Sequence, residues 1–127
     1  MLKEVIHDRD IFVIHDFLTP EECTNLIVAA EAAGFGDAPI NTGFGTAIRK
    51  DFRNNNRVMI DDVSLAAEWF ARARAFLPSR FGGWEPCGLN ERFRHYRYAP
   101  GQKFDWHLDR AFHQSNGETG TLTFMVS

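Results

Sequence analysis

The sequence predicts an α+β fold with a mixed α/β front and an all-β back. Two stretches in the first two thirds of the chain carry apolar residues at helical spacing between capping signals, and beyond the turn-rich FGGWEPCGLN the period changes to two. A length of 127 residues suits one modest domain around one core.

The elements follow in order. Ile11 to Leu18, IFVIHDFL, is rich in β-branched and aromatic residues and predicts a strand. A helix comes next: Thr19 can cap it, Pro20 suits its first position, Glu22 completes a capping box and Gly34 marks its end. Cys23, Leu26, Ile27 and Ala30 share one face of that helix, which predicts packing on a sheet and a buried Cys23 thiol. Residues 35 to 56, with Gly36, Gly43 and Gly45 among polar neighbours, read as a mobile loop able to contribute a substrate lid. The GFGTAIRK stretch inside it lacks both Walker and GxGxxG spacing, which favours a simple flexible loop over a phosphate loop.

Arg57 to Ile60 predicts a short strand; Arg57 could project toward a pocket, with a solvated strand-end arginine as the default reading. Asp61 or Asp62 can cap a second helix, on which Ala66, Trp69, Phe70, Ala73, Phe76 and Leu77 form the apolar face until Pro78 closes it. ERFRHYRY, KFDWHLD and TLTFMVS then supply three alternating strands. The last alternates Leu122, Phe124 and Val126 against Thr121, Thr123 and Met125, and no element follows to cover its edge. The expectation is a single domain over residues 1–127 that is the front part of a larger fold, with its C-terminal part missing.

Composition limits the function classes. The chain is 44% hydrophobic and 24% charged, with twelve phenylalanines and three tryptophans as bulk for a core. A net charge of -3 argues against a phosphate-neutralising nucleic-acid surface and leaves room for a local small-anion site. Cys23 and Cys87 have no CxxC spacing, so neither a disulfide framework nor a thiolate metal site is indicated. The N-terminal MLKEVIHDRD has no apolar signal region and no run is long enough to span a bilayer. A cytoplasmic protein with no nucleic-acid or membrane partner is expected; nothing in the sequence sets its oligomeric state.

The chemistry concentrates between Tyr98 and Asp109, YAPGQKFDWHLD, where a Pro100-Gly101 turn precedes an alternating segment. On a strand, His107 and Asp109 would point to the same face, roughly 6 to 7 Å apart at the backbone, so both could reach one metal ion. An imidazole nitrogen with a carboxylate oxygen suits non-haem Fe(II) with open positions, and a complete 2-His-1-carboxylate site needs one more histidine. The same alternation sends Phe104 and Trp106 to the opposite face, into the core. His113 lies in the polar FHQSNGETG and reads as an exposed loop residue, while His7, His15 and His95 have no ligand spacing. Tyr98 reads equally as a cross-strand packing aromatic or as a site residue, and Tyr96 shares its face.

The pattern RYAPGQKFDWHLD followed by GTLTFMVS, with RNNNRVMIDD and GLNERFRHYRY upstream, resembles the prolyl 4-hydroxylase-like branch of the 2-oxoglutarate- and Fe(II)-dependent oxygenases over roughly residues 50 to 127. The resemblance implies a double-stranded β-helix, jelly-roll or cupin-like, with N-terminal helices packed on the sheet and the last strands absent. It matches His107 and Asp109 to the first two iron ligands and Tyr98 to the tyrosine whose hydroxyl contacts 2-oxoglutarate, with Tyr96 able to substitute. The distal histidine and the basic residue for the far carboxylate fall beyond the end of this chain. The implied activity is a dioxygenase that takes Fe(II), 2-oxoglutarate, O2 and, as an accessory, ascorbate. It hydroxylates a C–H bond of a small molecule or peptidyl side chain while 2-oxoglutarate becomes succinate and CO2, although the 127 residues alone are expected to be inactive. The alternatives are a catalytically incomplete jelly-roll interaction or regulatory module and, further off, a cupin-type metalloenzyme that uses no 2-oxoglutarate.

Overall fold

The computed structural model describes residues 1–8, 10–41, 44–109, 112–120 and 122–127, so Gly43 and Thr121, both read above, lie outside the described residues. The chain divides into two compact units, Met1–Gly34 with Asp61–Arg92 and Phe35–Ile60 with Phe93–Ser127.

The first unit opens with an antiparallel hairpin of β1, Leu2–His7, and β2, Ile11–His15, running from the Leu2/His15 pair to the His7/Ile11 pair with a bulge after Val5. The sequence reading found β2 and missed β1, because the segment joining them has no Asn-Gly or Asp-Gly to announce a hairpin. Asp16, at φ 55, ends β2 and turns the chain toward the first helix.

Helix α1, Pro20–Ala33, starts as its capping residues dictate. The Glu22 backbone N–H donates to Thr19 Oγ1 at 3.1 Å, and the Glu22 carboxylate accepts the Thr19 N–H at 2.8 Å. Gly34 closes it at φ 88, its N–H donating to the Ala30 carbonyl at 3.2 Å. Helix α2, Val63–Ala73, is capped by Asp62, whose carboxylate accepts the Leu65 N–H at 2.9 Å, and it runs on into a 3₁₀ turn over Arg74–Phe76. Its apolar face is the predicted one: Ala66, Trp69 and Ala73 are buried, and Trp69 meets Phe17 edge to face at 5.9 Å. On α1 only Ala30 is buried. Ile27 is exposed, and Cys23 is a free exposed thiol rather than the buried one expected from its helical stripe.

In the second unit β3, Gly36–Asp37, β6, Asn56–Asp61, and β7, Arg92–Arg97, form a sheet in the order β3-β6-β7. Two small antiparallel pairs accompany it: β4, Ile40–Asn41, with β5, Thr46–Ala47, and β8, Phe112–His113, with β9, Thr119–Gly120. The expected loop of residues 35 to 56 thus contains three short strands. The expected strands KFDWHLD and TLTFMVS do not form over their described residues; the first contributes one bridge, Arg53 with Phe104. The element order neither gives nor excludes a jelly roll.

Among the phenylalanines and tryptophans with described side chains, only Trp69 is buried, and the other buried apolar residues are alanines. The charged pair between the helices therefore carries weight in the first unit. Arg72 donates to the Glu22 carboxylate at 2.7 and 3.1 Å and to the Phe17 carbonyl at 2.8 Å. The Arg72 hydrogen bond, helped by the Thr19 N–H, holds the Glu22 carboxyl down at about 2 against an ordinary 4.5. A depressed folded-state pKa gives stability that is complete above the ordinary value and disappears as the pH falls toward the folded one. Thermal melts from pH 6 to pH 2 should therefore lose stability between about pH 4.5 and 2, with Glu22→Gln showing a shallower decline over that window than the wild type. Parallel declines in the two proteins would refute the assignment to Glu22.

Candidate metal centre

The site is built from a turn outward. Ala99 to Gln102 form a β-turn with Pro100 at its second position and Gly101 at its third, at φ 81, where a side chain would be strained. The Gln102 N–H donates to the Ala99 carbonyl at 2.9 Å, and the Gln102 side-chain oxygen accepts the Ala99 N–H at 2.9 Å. The chain leaving this turn is pinned against residues 52 to 54. Asn54 N–H donates to the Lys103 carbonyl at 2.9 Å, Asp105 N–H donates to the Phe52 carbonyl at 2.9 Å, and Lys103 N–H donates to the Asn54 side chain.

Phe104 sits at the centre of that bridge. The Arg53 guanidinium lies 4.0 Å from its ring centroid and the His107 imidazole stacks at 3.7 Å with the two planes 7° apart. Two groups that close to one centroid must occupy opposite faces. Arg53 also lies 4.5 Å from the Tyr96 ring, so the order is Tyr96, Arg53, Phe104, His107. Phe52 adds an edge-to-face contact with Phe104 at 5.7 Å.

At the end of this stack, His107 Nδ1 lies 2.7 Å from the Asp105 carbonyl oxygen. A carbonyl only accepts, so Nδ1 carries the proton and Nε2 of the neutral ring presents its lone pair. That nitrogen faces Asp109 Oδ1 at 3.4 Å, while Thr123 Oγ1 donates to the other carboxylate oxygen, Oδ2, at 2.9 Å. Each residue therefore has one polar atom tied down and one directed at its neighbour. The facing atoms are too far apart for a good hydrogen bond and are suited to sharing a cation or, through a protonated imidazole, an ion pair.

The spacing fits a first-row divalent metal. Donors 3.4 Å apart, each about 2.1 Å from a common ion, subtend about 110°, and approach by about 0.4 Å would bring that angle to 90°. The Asp105 carbonyl on His107 and the Thr123 hydroxyl on Asp109 are the outer partners that fix a metal ligand's orientation. Among the described residues no third histidine, cysteine or acidic group joins the pair. His113 is exposed and its Nδ1 lies 3.2 Å from Thr119 Oγ1.

The two sequence-predicted ligands thus converge, by a route other than the expected strand. Without strand alternation Phe104 stacks on His107 instead of facing away from it, and Trp106 is fully exposed rather than in the core. Phe104, Asp105, Trp106 and His107 line an open depression of about 430 Å³. Tyr98 is 50% exposed, and Tyr96, 41% exposed, covers Arg53. Sequence reading missed Arg53 and Thr123. An RNNNR stretch signals only charge, and Thr123 lies 14 residues from the carboxylate it serves. The chain matches no family model, no curated protein and no solved structure.

These contacts separate two neighbouring aromatics. Phe104→Ala should destabilise the protein by about 3 kcal/mol, through lost stacking on Phe52, Arg53 and His107. Trp106→Ala should change stability by less than about 0.5 kcal/mol, since nothing is uncovered. Urea melts of the two variants check this, and a large loss at Trp106 would contradict the exposed placement.

Proposed function

We propose that the protein acts as a 2-oxoglutarate- and Fe(II)-dependent dioxygenase of the prolyl 4-hydroxylase-like kind, hydroxylating a C–H bond of a small molecule or a peptidyl side chain. The observation that carries this reading is the His107 Nε2 to Asp109 Oδ1 approach of 3.4 Å, with the remaining polar atom of each side chain engaged elsewhere. His107 and Asp109 would hold the iron. When bound, the metal and 2-oxoglutarate supply the oxidative chemistry with O2, ascorbate serving as accessory reductant. The chain's own residues do the positioning. Asp105 keeps the His107 ring in the Nδ1–H tautomer, Phe104 fixes its plane, and Thr123 directs Oδ1 of Asp109 inward by occupying Oδ2. Tyr98 and Tyr96 are the proposed contacts to 2-oxoglutarate. No helix among the described residues is long and apolar enough to cross a membrane. We propose a cytoplasmic location, which suits two free, exposed cysteines.

The fully exposed Trp106 and 93% exposed Leu108 beside the pair favour a second reading, a jelly-roll interaction or regulatory module without turnover. Metal binding separates the two. Titration with Co(II) under anaerobic conditions should show ligand-field absorption that His107→Ala and Asp109→Ala abolish, with affinity falling about 10- to 100-fold in Thr123→Val. In a protein that carries the further strands the resemblance implies, succinate formation from 2-oxoglutarate with Fe(II) should disappear in the same two alanine variants. Equal Co(II) affinity in wild type and His107→Ala would overturn the oxygenase reading. Metal binding without any succinate from that longer protein would favour the second.

A further inference from the structure

The second unit neutralises its charges unevenly. Asp37 pairs with Lys50 at 3.5 Å, Asp51 with Arg49 at 3.2 Å and Asp105 with Lys103 at 3.1 Å, while Asp109 faces His107 and Thr123. Every aspartate of the unit is thereby engaged. Three arginines are left without an acidic partner among the described residues: Arg53, Arg57 and Arg94.

They occupy one neighbourhood. Arg57 is half-buried on β6, and its guanidinium pKa is lowered by desolvation and by the positive charges of Arg53 and Arg94, against a favourable contribution from Tyr96. On β7, Arg94 and Tyr96 are two residues apart and so share a face. Arg53 is 5% exposed; its Nε donates to Asn55 Oδ1 at 2.8 Å and Nη1 to the Pro39 carbonyl at 3.4 Å, and Nη2 is buried with no acceptor. A permanently charged group with a buried, unanswered N–H is costly unless something of opposite charge is provided. The half-exposed Tyr96 ring lies against the guanidinium, its centroid 4.5 Å from the central carbon.

We infer that Arg53, Arg57 and Arg94 form, around Tyr96, a binding site for the carboxylate of a small molecule. Guanidinium forks match a carboxylate's two oxygens, and three uncompensated cations raise the local concentration of any anion. Since Arg53 stacks on Phe104 and Phe104 on His107, the bound acid would lie beside the candidate metal ligands. The inference needs no metal, so it stands apart from the proposed oxygenase activity.

Calorimetric titration of the 127-residue chain, freed of metal on a chelating resin so that no soluble polycarboxylate competes, tests it, with glutarate and N-acetylglycine as probes. Glutarate is a dicarboxylate lacking the keto oxygen that could chelate a metal, and N-acetylglycine stands for the carboxylate of an amino-acid or peptide substrate. Saturable binding of either supports the site, and which one binds assigns the carboxylate to a dicarboxylate cosubstrate or to a substrate. Arg94→Gln and Arg57→Gln should each weaken binding by about tenfold, and raising the salt should weaken it further. Arg49→Gln, which removes a cation already paired with Asp51, should leave it unchanged. Arg94 is exposed and its side chain makes no hydrogen bond or ion pair among the described residues, so Arg94→Gln should not disturb folding; circular dichroism verifies this. Binding of neither probe, or equal binding by wild type and Arg94→Gln, would overturn the inference.

Discussion

One buried guanidinium organises the second unit. Arg53 reaches the Pro39 carbonyl and the Asn55 side chain by hydrogen bonds and lies against the rings of Tyr96 and Phe104, 4.5 and 4.0 Å from their centroids. Cation–π contacts contribute about 0.5 to 2 kcal/mol each, more when desolvated. Here they also transmit geometry, because the far face of Phe104 sets the plane of His107. Asn55, 1% exposed, is the most buried polar residue among the described residues of the unit and accepts a hydrogen bond from Arg53 Nε. Charge and packing are therefore not separable in this region.

A consequence is that the candidate metal pair does not rely on regular secondary structure. The Ala99–Gln102 turn, the bridge from 103–105 to 52–54 and the aromatic stack together fix His107 on otherwise irregular backbone. Functional groups commonly occupy such segments when a rigid support lies beneath them. Asp109 is positioned differently, by the Thr123 hydroxyl from a segment with no assigned strand. The two donors thus depend on separate supports, one aromatic and one hydrogen-bonded.

The first unit solves a different problem with similar means. Among its described residues the buried apolar ones are Ala30, Ala66, Trp69 and Ala73, of which Trp69 supplies the bulk. Arg72 compensates by joining α2 to the Glu22 carboxylate on α1 and to the Phe17 carbonyl, with the Phe17 ring beneath its guanidinium at 5.3 Å. Glu22 serves both the helix cap and this bridge, so one side chain connects a local start signal to a tertiary contact.

Local signals in the chain were sufficient to set both helices and the turn at Pro100 and Gly101, because capping, proline geometry and a positive φ act over three or four neighbouring residues. The apolar spacing of α2 likewise identified Ala66, Trp69 and Ala73, and residue chemistry alone singled out His107 with Asp109. Only the tertiary structure decided that this pair meets without a strand, that Phe104 turns toward the histidine and Trp106 to solvent, and that Arg53 and Thr123 matter. Those outcomes rest on contacts between residues far apart in sequence: a ring 43 or more positions from its guanidinium, or a hydroxyl beyond a polar loop, leaves no periodic trace in the chain.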